Sequence, residues 1–225
     1  MKIPMRLGKA TIGKIRPRKQ QRSEQTLAAI LDSAEALIAQ KGYAATSVSE
    51  ISRIAGVTIG ALYGRLENKE AVLGGLFDRL CEQTMSVFKL LWKDLAAGSL
   101  DFRRALERSM EAMGWLYTER GALVSAVNQA ATTNPALRKR MFAFNQSICA
   151  RLYQELGRYS GEIRHPQPAL ALKLGHEAGM RLLRASLLNK EIDFRDVSPA
   201  ATPVSDKILV REAARIWEAY LKSRP

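Results

Sequence analysis

The chain has 225 residues, room for one large domain or two smaller ones, and its 47% hydrophobic and 25% charged residues make it globular. Lys plus Arg exceed Asp plus Glu by 35 to 22, a net charge of +13 that calls for a polyanionic partner such as nucleic acid. Two cysteines, Cys81 and Cys149, exclude a disulfide-stapled scaffold and a zinc finger, and the lack of any run of 18 apolar residues excludes a transmembrane helix.

A basic N-terminus without an apolar run is no secretory leader, so the expected location is cytoplasmic. Residues 1–23 carry eight basic side chains and no acid, interrupted by Pro4, Gly8, Gly13 and Pro17. Residues 1–22 therefore read as a disordered basic arm, either a DNA contact, a solubilising tail, or residues upstream of a start at Met5. Residues 24–70 hold four Lys or Arg against six acids, so the charge alone does not mark them as a DNA reader.

From there the pattern is helical almost throughout. Leu27, Ile30, Leu31, Ala34, Leu37 and Ile38 keep the spacing of one helical face, and Gly42 follows as a residue able to take positive φ. Ser47-Val48-Ser49-Glu50 spells a capping box for a short helix ending near Ala55. Gly56 makes a turn, Thr58 caps a third helix through Leu66, and Asn68 caps a long fourth helix from Lys69. Ile51, Ile54, Val57, Leu62 and Leu66 are placed to pack these helices together. Two short helices around a glycine turn are either a helix-turn-helix, whose second member can enter the major groove, or a corner of an ordinary all-α protein.

The string Gly42-Tyr43-Ala44-Ala45-Thr46-Ser47-Val48, with Ile51, Ala55-Gly56-Val57, Gly60-Ala61-Leu62-Tyr63, Lys69-Glu70 and Leu73, resembles the DNA-binding domain of the tetracycline-repressor (TetR) family. The resemblance covers residues 26–80 and departs at Leu66, where the family usually has an aromatic residue, and at Gly74-Gly75 inside helix four. It implies an all-α fold, with a DNA-binding domain over 23–70 and a ligand-binding and dimerisation domain over 71–225. Tyr63 and Lys69 then reach phosphate, and Thr46 and Ser47 place donors at the start of helix two. Thr58, Ile59, Gly60, Ala61, Gly64 and Arg65 form the exposed side of the recognition helix. Ile59 or Ala61 can touch a thymine methyl, and Arg65 can hold a guanine or a phosphate.

Beyond helix four, five more helices are expected. One runs over about 100–118 with Phe102, Leu106, Met110, Met113 and Tyr117 on a stripe, and a short one covers 122–131. A third opens at Asn134-Pro135, a fourth follows Pro166 and Pro168 to about Asn189, and the last is capped by Ser205 with Leu209, Ala213, Ile216 and Tyr220 inward. The family resemblance implies a ligand pocket here, with Trp92, Met110, Met113, Tyr117, Asn128, Phe142, Phe144 and Asn145 as candidates. Met and aromatic walls suit a small, largely hydrophobic effector. Asn145, between Met141 and Ile148, is a polar group on an apolar face. The same resemblance implies a homodimer through the last two long helices. Ala171, Gly175 and Gly179 form a small-residue stripe there, joined by Leu183 and Trp217, and the alternative is packing within one chain.

Catalysis finds no constellation: no phosphate-binding glycine loop, HExxH or nucleophile elbow is present, and His165 and His176 stand apart. Glu177 and Arg181 read as an i, i+4 ion pair. No cofactor or metal is expected, and no membrane partner, since no amphipathic helix accompanies the basic arm. The expected function is sequence-specific regulation of transcription on double-stranded DNA with a palindromic operator. A ligand-released repressor is the first expectation. An activator or a ligand-independent DNA-binding protein of the same fold is the alternative.

Overall fold

The computed structural model describes residues 18–192 and 204–223, and every regular element among them is helical. The first unit comprises α1 (Arg18–Ala45), α2 (Val48–Ile54) and α3 (Ile59–Tyr63). The second comprises α4 (Lys69–Ala96), α5 (Phe102–Thr133), α6 (Pro135–Leu156), α7 (Pro168–Leu183) and α8 (Asp206–Lys222). A 3-10 turn over Gly157–Glu162 follows α6, and a π turn over Arg184–Leu188 extends α7. The region expected as a basic arm differs at its end: residues 18–22 belong to α1, and residues 1–17 lie outside the described residues.

Local chemistry sets most of the helix ends. Asn68 Oδ1 accepts from the Ala71 amide at 2.7 Å, Asn134 Oδ1 accepts from the Leu137 amide at 3.0 Å ahead of Pro135, and Ser205 caps α8. Each satisfies one of the amide donors that a helix N-terminus leaves free. Asp101 does the same for α5, accepting from the Arg104 amide at 2.8 Å. The glycines at both turns of the first unit have positive φ, Gly42 at 81° and Gly56 at 66°.

Four expectations are corrected. The third helix ends at Tyr63, with Gly64 as its C-cap, instead of reaching Leu66. The segments expected over 100–118 and 122–131 are one 32-residue helix, α5. Gly121 does not break it because both halves are packed, and a methyl group at Gly121 would already lie 3.4 Å from Leu188 Cδ1. Ile216 is half exposed while Trp217 is fully buried, so α8 turns its indole inward. Ile54 is likewise half exposed, leaving Ile51 and Leu62 to bury the first unit's interface.

Two apolar cores result. Ile30, Ala34, Ile51, Leu62, Leu73 and Leu76 build one under the first unit, and Leu123 and Val127 from the far end of α5 complete it. Phe88, Phe102, Met110, Leu152, Trp217 and Leu221 anchor the other, among α4 to α8. Helices α4 and α5 run through both. Ion pairs reinforce the join: Arg120 on α5 meets Glu35 on α1 at 2.5 Å, and Arg79 on α4 meets Asp32 on α1 at 2.5 Å.

Candidate nucleic-acid interface and internal cavity

Helix α2 begins with a complete capping box. The Glu50 amide donates to Ser47 Oγ at 3.3 Å, and the Ser47 amide donates to Glu50 Oε2 at 3.1 Å. The Lys41 ammonium, at 2.5 Å from Glu50, and then Ser47 hold the Glu50 carboxyl down at about 2. After the Gly56 turn, Thr58 Oγ1 accepts from the Ala61 amide at 3.1 Å and starts α3. Leu62 is the buried residue of α3. Thr58, Ile59, Gly60, Tyr63, Gly64 and Arg65 are exposed and Ala61 is half-buried, so one flank of this helix is open to a partner. Nothing stands within 4 Å of a methyl group built on Gly60, which leaves that backbone free for close approach.

The flank is less polar than the sequence suggests. The Arg65 guanidinium folds back to donate to Ala61 O at 2.9 Å, capping the end of α3. Thr46 is 3% exposed and its hydroxyl donates to Gly42 O at 2.9 Å, which corrects its expected place among the surface donors. Lys69 donates to Ala44 O at 3.3 Å and sits 4.3 Å from the centre of the Tyr43 ring, so it ties the start of α4 to the end of α1. It remains at the surface margin with N–H donors to spare. Arg53, in the last turn of α2, is exposed and, among the described residues, forms no ion pair, which makes it a candidate phosphate contact beyond those expected from the sequence.

A cavity of about 180 Å³ lies between α4, α5, α6 and α7. Of the expected lining residues, Met113, Tyr117, Asn128, Phe144 and Asn145 border it. Three do not. Trp92 packs against Phe88 with its ring tilted, at 5.9 Å between ring centres, Met110 is fully buried in the core beneath Gly179, and Phe142 is 62% exposed on the outside of α6. Asn145 borders the cavity from an exposed position, not as a buried amide. Phe77 and Phe88, on α4, line the same wall as Thr84.

Both cysteines border the cavity too, and burial pushes the Cys81 thiol up to about 11. His176 is the lining residue least expected. Its Nδ1 lies 2.6 Å from the Tyr153 hydroxyl and its Nε2 lies 2.8 Å from Met113 Sδ. Burial holds its imidazole down at about 4, so it is neutral near pH 7. Glu177 borders the cavity, and among the described residues the ion pair expected between it and Arg181 is not formed.

The stripe expected at a dimer seam is used inside the chain. A methyl group on Gly175 would lie 2.2 Å from Trp217 Cδ1, and one on Gly179 would lie 2.8 Å from Met110 Cε. Ala171, Leu183 and Trp217 are fully buried. These five residues let α7 close onto α8 and α5, which corrects their assignment to a surface between protomers. Among the described residues no group of three His, Cys, Asp or Glu side chains could hold a metal ion, and no helix is long and apolar enough to cross a membrane.

Residues 30–76 match the family model described as bacterial regulatory proteins, tetR family. The HTH-type transcriptional regulator TtgR of Pseudomonas putida is 35% identical over 65 residues, 29% of this chain and 31% of that protein, so the chain aligns with about a third of that relative. An uncharacterized HTH-type transcriptional regulator of Mycobacterium tuberculosis is 29% identical over 160 residues, 68% of this chain and 71% of that protein. The crystal structure of a transcriptional regulator from Rhodococcus sp. Rha1 shares the fold, with a TM-score of 0.62 and 20% identity over 90% of this chain and 99% of that one. Residues 30–76 thus form a helix-turn-helix domain of the tetR type, and the helical body behind it shares the fold of the solved regulator.

Proposed function

We propose that the chain is a sequence-specific, DNA-binding regulator of transcription that acts as a homodimeric repressor and is released from a palindromic operator by a small, largely hydrophobic effector. The observation that carries this reading is the open flank of α3, held by α1 and α2 and joined through α4 to an internal cavity. Ile59, Gly60 and Ala61 offer apolar or backbone approach to base edges, while Tyr63, Arg53 and Lys69 supply contacts to the sugar-phosphate backbone. With few polar side chains on the flank, sequence-dependent DNA shape carries much of the discrimination.

Two copies are needed to read a palindrome, with recognition helices about 34 Å apart in successive major grooves. Outward-facing apolar residues support a seam on the same two helices as expected but on their other faces. Leu170 and Leu174 lie one turn apart on α7, and Ile208 and Ile216 lie two turns apart on α8, all at least 40% exposed. Burying such a face is the usual driving force for association. An effector in the cavity touches α4, which starts at Lys69 directly behind the reader. It shifts half-site spacing by no more than its difference in affinity for the two conformers.

Selection of bound duplexes from a random pool at physiological salt tests the reading. The expected product is an inverted repeat with half-sites one helical turn or a multiple apart. Salt-sensitive binding without an enriched motif would refute sequence-specific regulation by this helix pair.

A further inference from the structure

Three buried hydroxyls among the described residues, on helices or at a helix end, bond back to their own helix. Ser33 donates to Ala29 O at 2.8 Å, Thr46 to Gly42 O at 2.9 Å and Ser109 to Ala105 O at 2.6 Å. Thr84 on α4 breaks the pattern. It is 2% exposed, its Oγ1 has no hydrogen-bond partner, and it does not turn back to Leu80 O one turn earlier. Among the described residues Ser52 is the other buried hydroxyl without a partner, and it lies in the first unit away from the cavity. Thr84 borders the cavity, between Leu80 and Phe88 of the same wall. An unpaired buried hydroxyl costs about 1–3 kcal/mol and calls for an explanation.

Four other polar groups of the wall do not need a guest in the same way. His176 is engaged on both nitrogens, by Tyr153 and Met113. Asn145, Glu177 and Arg184 are exposed and reach water. Glu177 and Arg184 are the charged residues of the lining, one of each sign, so the wall has no net charge to select an ion. Aromatic and thioether groups, among them Phe77, Phe88, Phe144, Met113 and Met141, make up the apolar body of the cavity.

We propose that the cavity takes a neutral, apolar guest bearing one hydroxyl or carbonyl oxygen, and that this oxygen pairs with the Thr84 hydroxyl on α4. The proposal rests on the reading of the cavity as the effector site. It adds the chemical class of the effector and the residue that recognises it. Apolar cavities of about 150 Å³ take up benzene, so a substituted monocyclic phenol is a guest of suitable size. The hydrogen bond would form on the helix that begins at Lys69 behind the reader, so the same contact that selects an oxygenated guest also acts on the element joining cavity to DNA-binding unit.

The test uses two isosteric probes, 4-propylphenol and 4-propyltoluene, with the full-length protein and its Thr84→Val variant, and binding is followed by calorimetry without DNA. The variant replaces the hydroxyl with a methyl group of nearly the same size. The parent should prefer the phenol, and Thr84→Val should weaken it roughly 5- to 10-fold while leaving 4-propyltoluene as tight as before or tighter. The ligand-free variant should melt at the same temperature or higher, because it loses an unpaired hydroxyl. A lower melting temperature would show that the protein itself holds the hydroxyl, and would overturn the proposal. So would equal affinity changes for the two probes. Failure of the parent to bind either probe would overturn the effector-site reading itself, and the proposal with it.

Discussion

The first unit and the helical body behind it are closed in different ways. Around Ile30, Ile51 and Leu62, short helices stop and start at residues whose side chains or φ angles dictate it: Gly42, Ser47, Gly56, Thr58 and Asn68. Around Met110, Leu152 and Trp217, long helices are fixed by what they fit against, far away in sequence. The sharpest case is Gly175, whose missing side chain makes room for the Trp217 indole. The difference predicts that one atom added in the body will matter more than a cap removed in the reader.

Gly175→Ala should have the largest effect. The added methyl would meet ring atoms of a fully buried tryptophan at 2.2 and 2.8 Å, and a ring cannot yield as a flexible chain end can. Overpacking of this kind costs about 3 kcal/mol or more, read as a fall in the denaturation midpoint. An unchanged midpoint would mean that the glycine stripe faces outward and that the indole belongs to a seam between protomers.

The body should also be the acid-sensitive half. His176 is neutral in the fold and titrates at about 4 instead of 6.5, because burial disfavours its cation. Between those two pH values the unfolded chain binds a proton that the folded chain refuses. Stability present above pH 6.5 is therefore lost as the pH falls toward 4, by about 3 kcal/mol at ~1.36 kcal/mol for each pH unit. His176→Gln should flatten the pH dependence of stability over that window. A slope unchanged from the parent would assign it to other groups.

In the reader the expected effect is smaller. Ser47→Ala removes the capping hydroxyl of α2 and should cost about 1 kcal/mol. Glu50 would keep its bond to Lys41, its largest stabilising partner. The Glu50 carboxyl is held down at about 2 in the fold, so its contribution is present above its ordinary value of 4.5 and fades as the pH falls toward 2, below the window of His176. Thermal melts of parent and Ser47→Ala at pH 7 and pH 3 separate the two.

This contrast also explains what could be read from the sequence. The cap at Asn134-Pro135, the capping box at Ser47 and the positive φ of Gly56 depend on residues within a few positions, so their chemistry is visible in the string. Direction is not. Thr46 and Ser47 look alike as donors, yet one hydroxyl turns in to Gly42 O and the other caps α2. The stripe of Ala171, Gly175 and Gly179 specifies close approach but not whether the neighbour is α8 or another protomer. His176 and Thr84 could not be placed on the cavity wall until α4, α5, α6 and α7 were set against one another. Five of eight expected lining residues reached the wall, and Met113, Tyr117 and Phe144 did so because the apolar faces of α5 and α6 have few other places to point.

The smallest effect comes from a pair of glycines that look like a weak point in α4. The helix runs unbroken from Lys69 to Ala96 through both. A methyl on Gly75 would lie 3.1 Å from Leu31 Cδ2, so that glycine lets α1 pack closely against α4. A methyl on Gly74 would meet only the end of the Arg140 side chain, at 4.0 Å. Alanine is favoured over glycine inside a helix by roughly 1 kcal/mol. Gly74→Ala should therefore stabilise the protein by up to about 1 kcal/mol, the opposite sign from the same substitution at Gly175. Gly75→Ala should fall between them, since the helix gains what the Leu31 contact loses. If Gly74→Ala instead lowered the midpoint, α4 would be bent at that residue in the dominant state, and the straight helix that joins cavity to reader would be the minor one.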